Sequence, residues 1–351
     1  MIARTSERLL LCPADLEPSR DEFEVIGVFN PGVVRIRNEV VMLVRVAEKP
    51  VEQRAGRIGL PRWEIDGECV IDWLPESDWI SVDPRVVKST STGLLRLTSV
   101  SHLRVFRKRD GSSEGWLPGV VFLPEMATDE FGIEDPRITK IDQTCWITYV
   151  AVSRQGAATA LASSDDMVTI KRHGLIFCPE NKDVVLFPEQ IEGQYVALHR
   201  PNPNSHFSPP QIWIARSPDL LHWGGHQCLH RGRSSWEADR VGGGTPPILI
   251  DEGWLHLYHG SRRDERQGHV GEYSVGALVL DRDNPARVLA RSAQPIMRPM
   301  AEFERNGFVP RVVFPTAAIE QDDLISVFYG AADTSTGVVC FRKQDILDAL
   351  N

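Results

Sequence analysis

Apolar positions along the chain alternate with polar ones or gather in runs of four to six residues rich in Val, Ile, Trp and Tyr. Both are strand patterns; the 3.6-residue period of helices is confined to a short C-terminal stretch, residues 344–350. An all-β protein is expected. Within the pattern one unit recurs five times: a proline, an apolar strand, a polar or glycine turn, and a second strand ending in an aromatic or basic residue.

The copies are FNPGVVRIRNEVVMLVRVAE from Phe29, EDPRITKIDQTCWITYVAVS from Glu134, LFPEQIEGQYVALHRP from Leu186, GTPPILIDEGWLHLYHGS from Gly244 and VFPTAAIEQDDLISVFYGAAD from Val313. Their prolines, Pro31, Pro136, Pro188, Pro247 and Pro315, are 105, 52, 59 and 68 residues apart, spacings that suit four-stranded blades with variable loops. The long first interval should hold extra strands or a large loop. A four-stranded sheet cannot hide both faces alone, whereas radial repetition buries them against neighbouring sheets. The expectation is a five-bladed β-propeller with a central pocket, one domain over residues 1–351 with N- and C-terminal extensions. A β-sandwich is the alternative, but hairpins alike by chance would not share the proline position.

Such an arrangement would turn Asn30 and Arg45, Asp135 and Arg137, Lys182 and Arg200, Tyr258 and His259, and Tyr329 and Asp333 toward one cavity. Asp135, in GIEDPR, is the prime acid: the following proline restrains its backbone, and Glu134 beside it tends to raise one of the two pKa values. An Asx turn at a strand entry is the commoner use of Asp-Pro. Asp333 has the same ordinary role at a strand end. Glu237 follows Trp236, an aromatic that could stack on a sugar or sit buried under a rim loop. The cations Lys182, Arg200, His259 and Arg45 lie at equivalent strand ends; singly they are solvated, but converging they make an anion site for phosphate or carboxylate.

Composition narrows the partners. The 351 residues carry 39 Lys+Arg against 48 Asp+Glu, a net charge of -9 without a basic stripe, which argues against nucleic acid and anionic membranes. The six cysteines form no CxxC pair and read as reduced core residues. Only three leucines precede Cys12, too few for a signal core, so the expected compartment is the cytoplasm. VGGGTPP lacks the Lys-Ser/Thr of a P-loop, there is no GxGxxG, HExxH or GxSxG, and the histidines lack ligand spacing. Neither metal nor cofactor is expected.

The segments VFNPG, RVAE, GIEDPR, NKDVVLFPE, LHRP, GGGTPPI with GWLHLYHG, and VVFP with YGAAD, spread over residues 28–333, closely resemble glycoside hydrolase family 130. That resemblance implies a five-bladed propeller that acts as an inverting β-mannoside phosphorylase, or less often as a β-1,2-mannosidase. It implies Asp135 as general acid, its proton reaching the glycosidic oxygen through a mannosyl hydroxyl. It also implies Lys182, Arg200 and His259 on inorganic phosphate with Tyr258 and Arg45 beside them. Asp333, Asn30 and Glu237 would touch sugar in the subsite where cleavage occurs, and Arg96 joins them as a substrate-binding candidate. Phosphate is already an anion and needs no general base, only cations that align it; a hydrolase would need a carboxylate to activate water. Retained cations therefore favour phosphorolysis with phosphate as co-substrate. A mannosidase and a non-catalytic glycan-binding propeller are the rivals. Two positions depart from the family pattern, Arg311 in place of asparagine and Ala317 in place of glycine, and the linkage and acceptor stay open. A Pro/Asn/Ser-rich excursion after His199 is expected over the pocket, and the family's habit makes a homo-oligomer an expectation.

Overall fold

The computed structural model describes the chain except residues 66, 114, 204–206, 234, 265–269 and 351. It is all-β, and all five expected hairpins are present as antiparallel strand pairs. Each belongs to a set of four antiparallel strands. The first set is Phe23–Ile36, Glu39–Pro50, Val100–Arg109 and Leu117–Phe122; the second is Gly132–Ile141, Thr144–Ser153, Gly156–Ser164 and Lys171–Phe177. A single parallel pair, Gly132 with Ser101, joins these two into one continuous sheet. The third set is Asn181–Leu186, Tyr195–Pro201, Ile212–Ser217 and Gly224–His230. The fourth is Arg240–Gly243, Gly253–Arg262, Glu272–Leu280 and Val288–Arg291, with the short strand Ile248–Ile250 also on Gly253–Arg262. The fifth takes Val313–Gln321, Leu324–Ala331 and Ser335–Arg342 from one end of the chain and Ser6–Leu11 from the other.

The alternation read from the sequence sends one face of each strand into an apolar layer shared with a neighbouring set. Leu43 and Val105 of the first set pack with Ile133 and Ile147 of the second. Leu161 and Phe177 of the second meet Leu186 and Ala215 of the third, and Val185 and Leu198 of the third meet Trp254 and Leu278 of the fourth. Leu257 and Val279 of the fourth meet Val327 and Phe341 of the fifth. Val28 and Met42 of the first meet Phe328 and Val338 of the fifth. Every set thus shares a core with two others, in cyclic order.

The long first interval holds extra strands: a hairpin, Arg57–Trp63 with Cys69–Pro75, and a three-stranded sheet, Trp79–Asp83, Val86–Ser89 and Leu95–Leu97. The expected C-terminal helix is Lys343–Asp348. The cysteines are free, but only Cys69 and Cys145 are buried and Cys178 is exposed, so the expectation of six core cysteines is too broad. No described helix is long and apolar enough to cross a membrane.

Candidate active site

Three of the sets break register at the same place in their first strand: between Phe29 and Gly32, between Glu134 and Arg137, and between Lys182 and Val185. At each bulge a short polar residue adopts a left-handed backbone: Asn30 at φ 52°, Asp135 at φ 51° and Asp183 at φ 56°. Asn and Asp tolerate this conformation better than other non-glycine residues, and bulges re-aim side chains out of the strand alternation. Asp333, at φ 48° after the last hairpin, is the fourth. All four line one cavity of about 230 Å³. The repeated proline marks this bulge in the first and second sets, and in the fifth a register break between Pro315 and Ala317. In the third the equivalent of Asp135-Pro136 is Asp183-Val184, not the segment around Pro188. Asp183 is therefore the site residue that a proline-based alignment misses.

The cavity is crowded with charge. Asp135 accepts hydrogen bonds from Asn30 Nδ2 at 2.8 Å and Arg45 Nη1 at 3.0 Å, while Arg45 Nη2 donates to Glu134 at 2.7 Å and its Nε to Ser101 at 3.0 Å. Burial pushes the Asp135 carboxyl up, but Arg45, Arg137, the Asn30 hydrogen bond and Lys182 outweigh it and hold the group below the ordinary carboxylate value. Asp333 goes the other way: burial raises it, Arg85 and Arg45 lower it, and Asp135 and Glu134 raise it further, leaving it above its ordinary value. Lys182 Nζ comes no closer than 3.9 Å to Glu134. This ammonium is held loosely enough to serve a guest.

Asp183 lies deeper. Arg200 Nε donates to it at 2.6 Å, and Arg137 Nη2 and His259 Nε2 stand 3.5 Å away. Burial raises its pKa, but Arg200, His259, Arg137 and Lys182 bring it down to about 2. Gly242 makes this packing possible, because a Cβ there would overlap both the Asp183 carboxylate and the His259 ring. VGGG is thus a close-approach segment, consistent with its failure as a P-loop. Arg200 lines the cavity, with Nη1 buried and unpartnered.

Of the expected site residues, Asn30, Arg45, Asp135, Lys182, Arg200 and Asp333 come together in this cavity, and four do not. His259 is fully buried behind Asp183, tilted against Phe314, and burial pushes its pKa down to about 3, so it is a neutral ring and not one of the cations. Arg96 donates to Leu60 O and Asp72 and lines a neighbouring chamber of about 630 Å³, which meets the cavity at Val86, Leu97 and Lys182. Arg85, in the turn at Pro84–Arg85, and Arg240, the first residue of the strand Arg240–Gly243, line the cavity and were not anticipated, because neither belongs to one of the five repeated hairpin segments. The departing Arg311 pairs with Glu272, outside the cavity lining. Part of the excursion after His199, residues 204–206, lies outside the described residues.

Tyr258 and Glu237 are bonded to each other, the hydroxyl donating to the carboxylate at 2.8 Å, away from the cavity, and Trp236 is buried beside them rather than open to a sugar. Adjacent strand residues face opposite sides, so Tyr258 and His259 could not share one site. The pair belongs to a second repeat. Tyr258 with Glu237 and Arg291, Tyr329 with Glu304 and Arg4, and Tyr149 with Asp129 and Arg172 each join a second-strand tyrosine, an acid from a single helical turn and an arginine from the outer edge. Tyr258→Phe should therefore cost about 1.5–3 kcal/mol of stability, the worth of a hydrogen bond to a charged group, and leave anion binding at the cavity unchanged. Chemical denaturation alongside calorimetric titration with inorganic phosphate reads both.

A family model described as beta-1,4-mannooligosaccharide phosphorylase matches residues 99–351. A beta-1,2-mannobiose phosphorylase of Listeria innocua is 40% identical over 99% of this chain and 98% of its own. The structure of a beta-1,2-mannobiose phosphorylase from Listeria innocua in complex with beta-1,2-mannobiose matches with a TM-score of 0.89, covering 97% of this chain and 96% of that one. A 1,2-beta-oligomannan phosphorylase of Thermoanaerobacter sp. is 36% identical over 70% of this chain and 80% of its own.

Proposed function

Because the chain belongs to glycoside hydrolase family 130, we propose that it is an inverting phosphorylase of β-linked mannosides, releasing α-mannose 1-phosphate and a shortened acceptor. The cyclic sharing of cores among five four-stranded sets supports a five-bladed propeller in which the cavity lies on the axis. The 40% identity to a β-1,2-mannobiose phosphorylase supports the β-1,2 linkage.

The observation that carries phosphorolysis is the charge in the cavity. Arg45, Arg85, Lys182, Arg200 and Arg240 line it with Glu134, Asp135, Asp183 and Asp333, and Lys182 and Arg200 keep donor capacity to spare. That surplus suits a phosphate dianion, which Arg grips with paired donors and Lys neutralises as a point charge. Glu237, one carboxylate that a hydrolase could use to activate water, is buried elsewhere, and any such base would have to be another carboxylate of the cavity. Asp135 is the proton donor in this reading. Its pKa in the free cavity is held down in part by Lys182, whose charge phosphate would neutralise, so an arriving dianion raises it toward the protonated form when the nucleophile is in place. Asn30 and Arg45 orient the carboxyl meanwhile.

The test is product analysis of β-1,2- and β-1,4-mannobiose with and without inorganic phosphate. Mannose 1-phosphate should appear only with phosphate, and Lys182→Met should raise the KM for phosphate about ten- to a hundredfold, the worth of one charged hydrogen bond. Free mannose released equally fast without phosphate would make the protein a hydrolase.

A further inference from the structure

The inserted three-stranded sheet sends one cation into the cavity, and that cation is aimed. Pro84 and Arg85 form the two-residue turn between Trp79–Asp83 and Val86–Ser89, where Asp83 pairs with Val86. Both turn carbonyls are held from one side: Thr98 N donates to Arg85 O at 2.9 Å and Thr98 Oγ1 to Pro84 O at 2.9 Å. Asp83 clamps the rear edge of the guanidinium, taking Nε at 3.2 Å and Nη2 at 3.0 Å as well as the backbone N of Arg85 at 2.8 Å. A guanidinium held on that edge presents Nη1 forward, and Nη1 lies 3.5 Å from Asp333 Oδ2.

Asp333 needs such a partner. Its side chain is 14% exposed, and the groups facing it are Arg85, Arg45, Asp135 and Glu134, two cations against two carboxylates. Arg45 is already divided between Glu134 and Asp135. Arg85 is the cation left for Asp333. Below its pKa Asp333 would hold a proton and could no longer accept a hydrogen bond from a sugar hydroxyl with full charge.

We propose that Arg85 is the positioning residue of Asp333, holding this carboxylate ionised and turned to the cavity, so that the inserted sheet is part of the cleavage site. The inference rests on the reading of Asp333 as a sugar-contacting carboxylate. Because ionised Asp333 is the working form, activity rises with pH through its pKa, and losing Arg85 must move that acid limb to higher pH.

The experiment follows the Asp333 carboxyl directly, by 13C NMR of aspartate-labelled protein with the signal assigned through Asp333→Asn, in wild type, Arg85→Ala and Arg85→Lys. The expected result is a midpoint at least about one unit higher in Arg85→Ala, tenfold in proton affinity, with most of it recovered in Arg85→Lys. The acid limb of kcat/KM for mannobiose should move by the same amount. An unchanged midpoint in Arg85→Ala overturns the proposal. So does a loss confined to the KM for phosphate with the pH profile in place, which would make Arg85 a phosphate ligand. If the wild-type protein turns over no mannoside, the functional reading fails while the carboxyl midpoint still decides the Arg85–Asp333 link.

Discussion

Asp135→Asn is expected to lower mannose 1-phosphate formation from mannobiose about 10²- to 10⁴-fold, the usual contribution of a positioned general acid. Asparagine is the informative replacement. It tolerates the left-handed backbone at this bulge, where alanine would add strain, and its amide oxygen can still accept from Asn30 and Arg45. Folding should therefore survive, and the lost element is the proton. A mannoside with an activated aryl leaving group needs no proton on departure, so the variant should recover most of its rate on it. Initial rates on both substrates, with phosphate present, test the role; activity on mannobiose within tenfold of wild type would remove Asp135 from it.

The protein is also expected to unfold in mild acid, between about pH 6 and 4, the loss beginning above the range in which carboxylates ordinarily titrate. Burial pushes His102, His199, His256 and His259 down to about 3, from an ordinary 6.5, with Arg104 adding to the effect at His102 and His226 at His199. A histidine whose folded pKa is depressed stays neutral in the fold while the unfolded chain takes up its proton. Stability is thus complete above pH 6.5 and falls as pH drops toward 3. Each such group contributes a slope of about 1.4 kcal/mol per pH unit and four of them about 5 kcal/mol, against a typical total of about 5–15 kcal/mol. Urea midpoints measured from pH 7.5 to 4.5 give the slope directly. A flat profile to pH 4.5 would mean that these rings gain protons without unfolding the chain.

The hairpins were legible because proline, glycine and alternating Val and Ile are local signals, and strand pairing follows from them. The location of six site residues was legible for the same reason, since they stand at strand ends the repeat places side by side. The errors share a cause: sequence adjacency is not facial adjacency. LYHG puts Tyr258 on one side of its strand and His259 on the other, and neither reaches the cavity lining. Asp183 was hidden because its bulge lacks the proline used to align the others, although NKDVV sits in register with IEDPR. Arg85 depends on a turn geometry fixed by Thr98 and Asp83, contacts that no residue spacing encodes.

The fifth set is completed by the beginning of the chain: Ser6 pairs with Cys340 and Glu7 with Val339, while Thr336 Oγ1 donates to Val28 O across the seam. On a ribosome adding about 5–20 residues per second, the N-terminal strand waits tens of seconds before its partner exists. Earlier sheets can form in order as they emerge, but this one joins Ser6–Leu11 to the strand Ser335–Arg342, made long after it. The final seam therefore closes only after Ser335–Arg342 has been made, and a nascent chain stalled before Ser335 keeps the strand Ser6–Leu11 unpaired. Such a chain would be the form most in need of a chaperone that covers exposed strand edges.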